Sequence, residues 1–250
     1  MTRRSIIIIS AGLRSPSSTR NLADQLAAAV GRRFEAAGEP VDADVVEVRE
    51  NAHAIADALL AGFPSGDLAD VIRRVETADA LVVVTPTFQG SYSGLFKSFA
   101  DLLDPEAVRG TPVLLAATGG SERHSLVVEH ALRPLFAYLG AVTVPTGVYA
   151  ATSDFGGAGA TALASRIDRA AGELVALAGQ PGTGGGGRAH DPAARTDDPA
   201  GRASDVAARI HDTAGRAHDT AAARNGSART PEVTPFAQLL TQVQGPGPGR

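Results

Sequence analysis

The 250-residue chain contains no cysteine. That absence excludes disulfides, cysteine-bound zinc, iron–sulfur clusters and a redox-active thiol pair. Any redox chemistry must then rest on a non-covalently held organic cofactor. A strong charge of one sign is lacking too, since the formal net charge is −4. A general nucleic-acid binder would show a basic surface, so no nucleic-acid partner is expected. No apolar run approaches the ~18 residues of a membrane span. The opening M-T-R-R-S-I-I-I-I-S-A-G has the basic start of a secretion signal, but its apolar core is only Ile6 to Ile9. It reads as a buried first strand. The protein is expected in the cytoplasm, with no membrane contact.

Familiar catalytic signatures are missing as well. The loop after the first strand has no G-x-G-x-x-G, and the chain has no P-loop, G-x-S-x-G elbow or H-E-x-x-H. No Ser-His-Asp set stands out, and no catalytic residue is assigned. His190, His211 and His218 recur at a spacing that suits no metal, so no metal site is expected. His53 and His130 read as plain surface residues of helical stretches. His124 reads as a cap on the helix that follows it or as a contact to a ligand of the neighbouring loop.

What is present is an alternation of short apolar runs with helical periodicity. Strands are expected at Ser5–Ser10, Asp44–Val48, Ala80–Thr85, Pro112–Thr118 and Val142–Tyr149. Helices are expected at Asn21–Ala37, Leu68–Val75, Leu95–Leu103, Leu126–Leu139 and Ala160–Ala178. Strands apolar on every residue are buried on both faces, which is the mark of a parallel sheet covered by helices. The fold expected is a three-layer α/β/α sandwich with a five-stranded parallel sheet in the flavodoxin-like order 2-1-3-4-5. Ligands of such sheets bind at the carboxyl ends of the strands.

This domain is expected to span residues 1–179. Residues 180–230 hold a glycine-rich linker and then a seven-residue repeat: HDPAART, DDPAGRA, SDVAARI, HDTAGRA, HDTAAAR. The repeat offers alanine almost everywhere and two early prolines, so it reads as disordered low-complexity sequence rather than a coiled coil. Residues 231–250 contain P-F-A-Q-L-L, whose Phe236, Leu239 and Leu240 would share one side of a short docking helix before a frayed tail.

Three strand-end loops carry the candidate chemistry. The first runs from Ser10 to Arg20 and opens a helix. A helix N-terminus suits a phosphate. The hydroxyls of Ser10, Ser15, Ser17, Ser18 and Thr19 add donors, and Arg14 or Arg20 adds charge. Only Gly12 is present as glycine, so the loop suits a terminal monophosphate better than a pyrophosphate. The bland alternative is ordinary N-capping by one of the hydroxyls. The second loop is Thr85-Pro86-Thr87-Phe88-Gln89-Gly90-Ser91-Tyr92-Ser93-Gly94. Its glycines permit tight turns, and Phe88 and Tyr92 could pack beside a flat ring or merely staple the loop to the core. The third is Thr118-Gly119-Gly120-Ser121, where paired glycines would let backbone lie close to a planar ligand.

Taken together, these loops resemble those of the NAD(P)H-dependent FMN reductase family. The strongest element is T-P-T-F-Q-G-S-Y-S-G-L-F-K-S-F-A-D-L-L-D, from Thr85 to Asp104. It is similar to that family's T-P-x-Y-x-G-S-x-x-G-x-x-K-x-x-x-D signature. Phe88 stands where tyrosine is usual, and Gln89 where asparagine is common. Gly119 to His124, Pro145-Thr146-Gly147 and the late P-F-A-Q-L-L resemble the subgroup that supplies reduced flavin to luciferase-like monooxygenases. The resemblance covers about residues 4–178 and a piece near 236, and leaves the repeat unexplained.

The resemblance implies FMN as cofactor and NADPH or NADH as hydride donor. The phosphate would meet Arg14, Ser15, Ser17, Ser18 and Thr19. The flavin rings would lie against Pro86–Tyr92 and Thr118–Ser121. It also implies a homodimer or homotetramer and a monooxygenase as partner. A quinone or azo reductase that keeps its FMN, and an electron carrier without NAD(P)H activity, are the alternatives. A carrier usually has a strongly acidic face, which the mild net charge does not suggest.

Overall fold

A computed structural model describes residues 3–180. The linker, the repeat and the P-F-A-Q-L-L segment lie outside the described residues. Strand β1 (Arg4–Ser10) enters the centre of a sheet and leads into helix α1 (Ser18–Ala36). Next come β2 (Val41–Glu47), α2 (Ala52–Ala61), α3 (Gly66–Glu76) and β3 (Ala80–Phe88). A two-residue β4 (Ser91–Tyr92) folds back on β3, before α4 (Gly94–Ala100) and the short α5 (Pro105–Val108). The chain continues through β5 (Pro112–Gly119), α6 (Arg133–Tyr138), β6 (Val142–Thr143), β7 (Val148–Ala151) and α7 (Ala158–Ala178).

The sheet order is β2-β1-β3-β5-β6, with β7 also on β5 and β4 on β3. All pairs are parallel except β3 with β4. Alternation along each strand divides the core in two. Ile6, Ile8, Val82, Val84, Leu114 and Ala116 face α1 and α7. Ile7, Ile9, Leu81, Val83, Leu115 and Ala117 face the layer built from α2, α3, α4 and α6. Leu22, Leu26, Val30 and Phe34 recur every fourth residue on α1 and are fully buried there. Arg33 on α1 grips Asp168 on α7, its Nε lying 3.0 Å from Oδ1. This is a flavodoxin-like α/β fold around a parallel sheet. Among the described residues no helix is long and apolar enough to cross a membrane.

The expected count of five strands is corrected to seven. The fifth strand, expected unbroken over Val142–Tyr149, is two pieces on the same edge of β5. Val142 pairs with Pro112, and Val148 with Ala116. Between them Pro145 has no N–H to give the ladder. Thr146 turns aside, donating its backbone N–H and its hydroxyl to Glu173 of α7 at 2.8 and 2.7 Å. Counted as one interrupted strand, β6 and β7 restore the order 2-1-3-4-5. The other additional strand, β4, comes from a hairpin in what read as an open loop. Gln89 and Gly90 have φ of 51° and 78°, the left-handed pair of a type I′ turn.

The helix expected at Leu126–Leu139 is also interrupted. A wide turn over Val128–Leu132 precedes α6, whose first turn contains Pro134. A proline ring crowds the carbonyl four residues back, and a widened turn relieves that. Helix α2, foreshadowed only by the helical reading at His53, and the one-turn α5 had no expected bounds, and β2 begins earlier than expected, at Val41.

Candidate flavin site

The three loops leave the sheet from neighbouring register positions. Ser10 pairs with Val84 on one side and with Glu47 on the other. Pro86 pairs with Thr118, and Gly119 with Ala151. Topology thus brings Ser10–Arg20, Pro86–Tyr92 and Thr118–Ser121 to one carboxyl edge, as the strand order requires.

In the first loop, Ser17 is the N-cap of α1, its hydroxyl accepting from the Arg20 N–H at 3.3 Å. The capping alternative therefore holds for this one hydroxyl. Ser15 and Ser18 stay exposed, and Arg14 is exposed with no ion pair among the described residues. The loop curls tightly over Gly12. A Cβ added there would stand 2.2 Å from Ser17 Oγ.

Ser10, Thr19 and Thr118 are buried instead, at 1%, 2% and 2% exposure. Thr19 Oγ1 and Thr118 Oγ1 lie 2.8 Å apart and hydrogen-bond each other. They tie the start of α1 to the end of β5. Ser10 Oγ is buried with no partner among the described residues.

Arg20 is already held by two carboxylates. Its Nε donates to Asp24 at 2.8 Å and its Nη1 to Glu47 at 2.5 Å. Arg49 donates to the other oxygen of Glu47 at 2.6 Å. Burial raises the Glu47 carboxyl, but the bonds and charges of Arg49 and Arg20 outweigh it and hold the group below the usual range. Arg14, Ser15, Ser17, Arg20, Glu47 and Arg49 border a groove of about 620 Å³ beside the loop.

In the second loop, Thr87 pairs with Tyr92 and Phe88 with Ser91 across the hairpin. Tyr92 packs edge-on against Phe96, with ring centroids 5.8 Å apart, and is the staple to the core. Phe88 is 46% exposed. Ser93 N donates to Thr85 Oγ1 at 3.1 Å, and Ser93 Oγ caps α4 through the Phe96 N–H. Gln89 and Gly90 are exposed at the tip.

In the third loop, Gly120 is exposed, and a Cβ there would meet nothing within 4 Å. Tyr149, on β7, was not among the expected site residues. Its hydroxyl donates to the Ser121 carbonyl at 2.7 Å. His124 does not cap the next helical turn: it ends a short 3₁₀ turn, exposed, and no side chain caps the segment that follows. His53 and His130 are exposed, as expected.

The donor set fits a flavin mononucleotide. The first turn of α1 leaves the Ser18 and Thr19 N–H groups beside exposed serines and an arginine with no ion pair among the described residues, which suits a phosphate dianion. An open glycine backbone and an exposed phenyl flank the neighbouring strand ends, which suits a planar ring.

A flavodoxin-like sheet with a hydroxyl-rich strand-end loop defines a class of nucleotide-binding α/β proteins. The chain belongs to the NADPH-dependent FMN reductase family, whose model matches residues 4–156. An FMN reductase (NADPH) of Pseudomonas aeruginosa is 42% identical over 150 residues, covering 60% of this chain and 78% of that protein. The NADH-dependent FMN reductase SfnE of Pseudomonas putida is 39% identical over 180 residues, covering 71% of this chain and 94% of its own. An oxidoreductase of Corynebacterium diphtheriae has a similar solved structure, with 46% identity and a TM-score of 0.69 over 71% of this chain and 97% of that one.

Proposed function

We propose that the protein is an NAD(P)H-dependent FMN reductase. The observation that carries this reading is the convergence of the three loops on one carboxyl edge, from Ser10, Pro86 and Thr118, in a chain of this family. When bound, FMN would supply the hydride-accepting chemistry. The protein's own task is binding and alignment.

Arg14, Ser15 and Ser18, with the first turn of α1, hold the phosphate. Ser17 shapes that turn, and Ser10, Thr19 and Thr118 support it from below. Pro86, Thr87, Phe88, Gln89, Gly90 and Ser91 line one side of the ring system. Gly119, Gly120 and Ser121 line the other, offering backbone donors where negative charge develops. Tyr92 anchors the hairpin. No acid–base residue is required of the chain.

The family resemblance implies that reduced flavin would serve a two-component monooxygenase and that the protein is a homodimer or homotetramer in the cytoplasm. Anaerobic absorbance of the protein with FMN, before and after NADPH or NADH, tests the reading. Loss of the oxidised flavin band supports a reductase, and the two rates give the preferred donor. FMN bound but bleached by neither donor points to an electron carrier. FMN retained through purification and turned over with quinones or azo compounds points to a reductase of those acceptors.

A further inference from the structure

We infer that Tyr149 is a positioning residue for the flavin, acting through the Thr118–Ser121 loop. The inference rests on the FMN reading above. The loop contains two adjacent glycines, and glycine backbone holds no shape without outside support. One end has such support beneath, in the 2.8 Å bond between Thr118 and Thr19. The other end is held by Tyr149.

Tyr149 stands on β7 with 6% of its surface exposed, packed in the core on the α6 side of the sheet. Its backbone carbonyl accepts from Arg166 of α7 at 3.2 Å, so the residue is anchored from the opposite layer. From there the ring passes under Gly119, and the hydroxyl donates to the Ser121 carbonyl at 2.7 Å. The fit is close: a Cβ on Gly119 would lie 2.0 Å from the tyrosine oxygen, with Thr87 Cβ 3.7 Å away. The phenol therefore touches the third loop and neighbours the second. Burial pushes the phenol up, the Asp154 charge adding to this and the Thr87 hydroxyl opposing it. The group remains a donor at any working pH. Phenylalanine would fill the same core volume but leave the Ser121 carbonyl untethered.

Tyr149→Phe in the full-length protein separates loop positioning from core filling. FMN affinity is read by the change in flavin fluorescence on binding, and the Tm of the FMN-free protein is read alongside. The expected result is FMN binding weakened about fivefold, with a fall in Tm of no more than a few degrees for the one hydrogen bond lost. Gly119→Ala supplies a second measurement. Alone it should weaken FMN binding by about tenfold or more, because its methyl meets the phenol oxygen. Combined with Tyr149→Phe it should bind FMN better than Gly119→Ala alone.

Wild-type affinity in Tyr149→Phe would overturn the inference. So would a fall in Tm far beyond that of one hydrogen bond, which would make the residue structural. Equal losses in Gly119→Ala and the double variant would overturn it too. Wild-type protein that binds no FMN would overturn the functional reading and this inference together. Wild-type binding with an unaffected Tyr149→Phe would overturn this inference alone.

Discussion

Thr19 Oγ1 sits 2.8 Å from Thr118 Oγ1, both side chains buried, one at the start of α1 and the other at the end of β5. The bond joins two loops that the sequence separates widely. Replacing either threonine with valine keeps the shape and leaves the other hydroxyl buried and unpaired. Each single variant should lose about 1–3 kcal/mol. The double variant should recover much of that, because no polar group is then stranded. Urea melts of the two single variants and the double would give the coupling directly. Additive losses would mean that the two hydroxyls do not depend on each other.

The Arg20–Glu47–Arg49 cluster predicts an acid-side loss of stability. Glu47 is lowered in the folded protein, and its side chain is only 12% exposed. A carboxyl with a depressed folded pKa stabilises fully above its unfolded value, about 4.3 for glutamate. The contribution fades as the pH falls through the lowered folded value. Glu47→Gln should lower the Tm at neutral pH and flatten the decline on acidification. Parallel Tm–pH curves for the two proteins would remove Glu47 from the account.

Much of this was legible in the sequence, for physical reasons. Ile6–Ile9 and Val82–Val84 are apolar on both faces, and only a central parallel strand uses such a run. The strand order then fixes which loops meet. The division of labour among hydroxyls was not legible, because Ser15 and Thr19 differ only in what folds over them. Tyr149 read as one more strand residue, since its partner Ser121 belongs to a different segment. Helix α2 buries only Ile55 and Ala58, too little to mark a face. The break in the fifth strand did have a signal in Pro145.

Two glycines make opposite predictions. At Gly12 a methyl group would press into Ser17 Oγ at 2.2 Å and against Thr19 Cβ at 3.2 Å. Gly12→Ala should therefore distort the phosphate loop and weaken FMN binding by about tenfold or more, the cost of a backbone shift of this kind being roughly 1–3 kcal/mol. At Gly120 a methyl would meet no protein atom within 4 Å. Gly120→Ala should leave the Tm unchanged. If the flavin ring lies on this backbone, the same variant should bind FMN less tightly. Paired measurements of Tm and FMN affinity separate the two cases. Unaltered FMN binding in Gly120→Ala would move the ring away from the third loop.

Gln89 holds a left-handed φ of 51° at the first central position of the β3–β4 turn, followed by Gly90 at 78°. Asparagine and glycine adopt this conformation readily, whereas glutamine pays for its longer side chain. Gln89→Asn should stabilise the protein by roughly 1 kcal/mol. The same change shortens the amide at the hairpin tip by one methylene. If that amide reaches the flavin edge, the more stable variant should bind FMN less well, and the strain is the cost of reach. If stability rises while FMN affinity holds, the turn backbone rather than the Gln89 side chain makes the contact. Thermal melts and FMN titrations of the one variant decide between them.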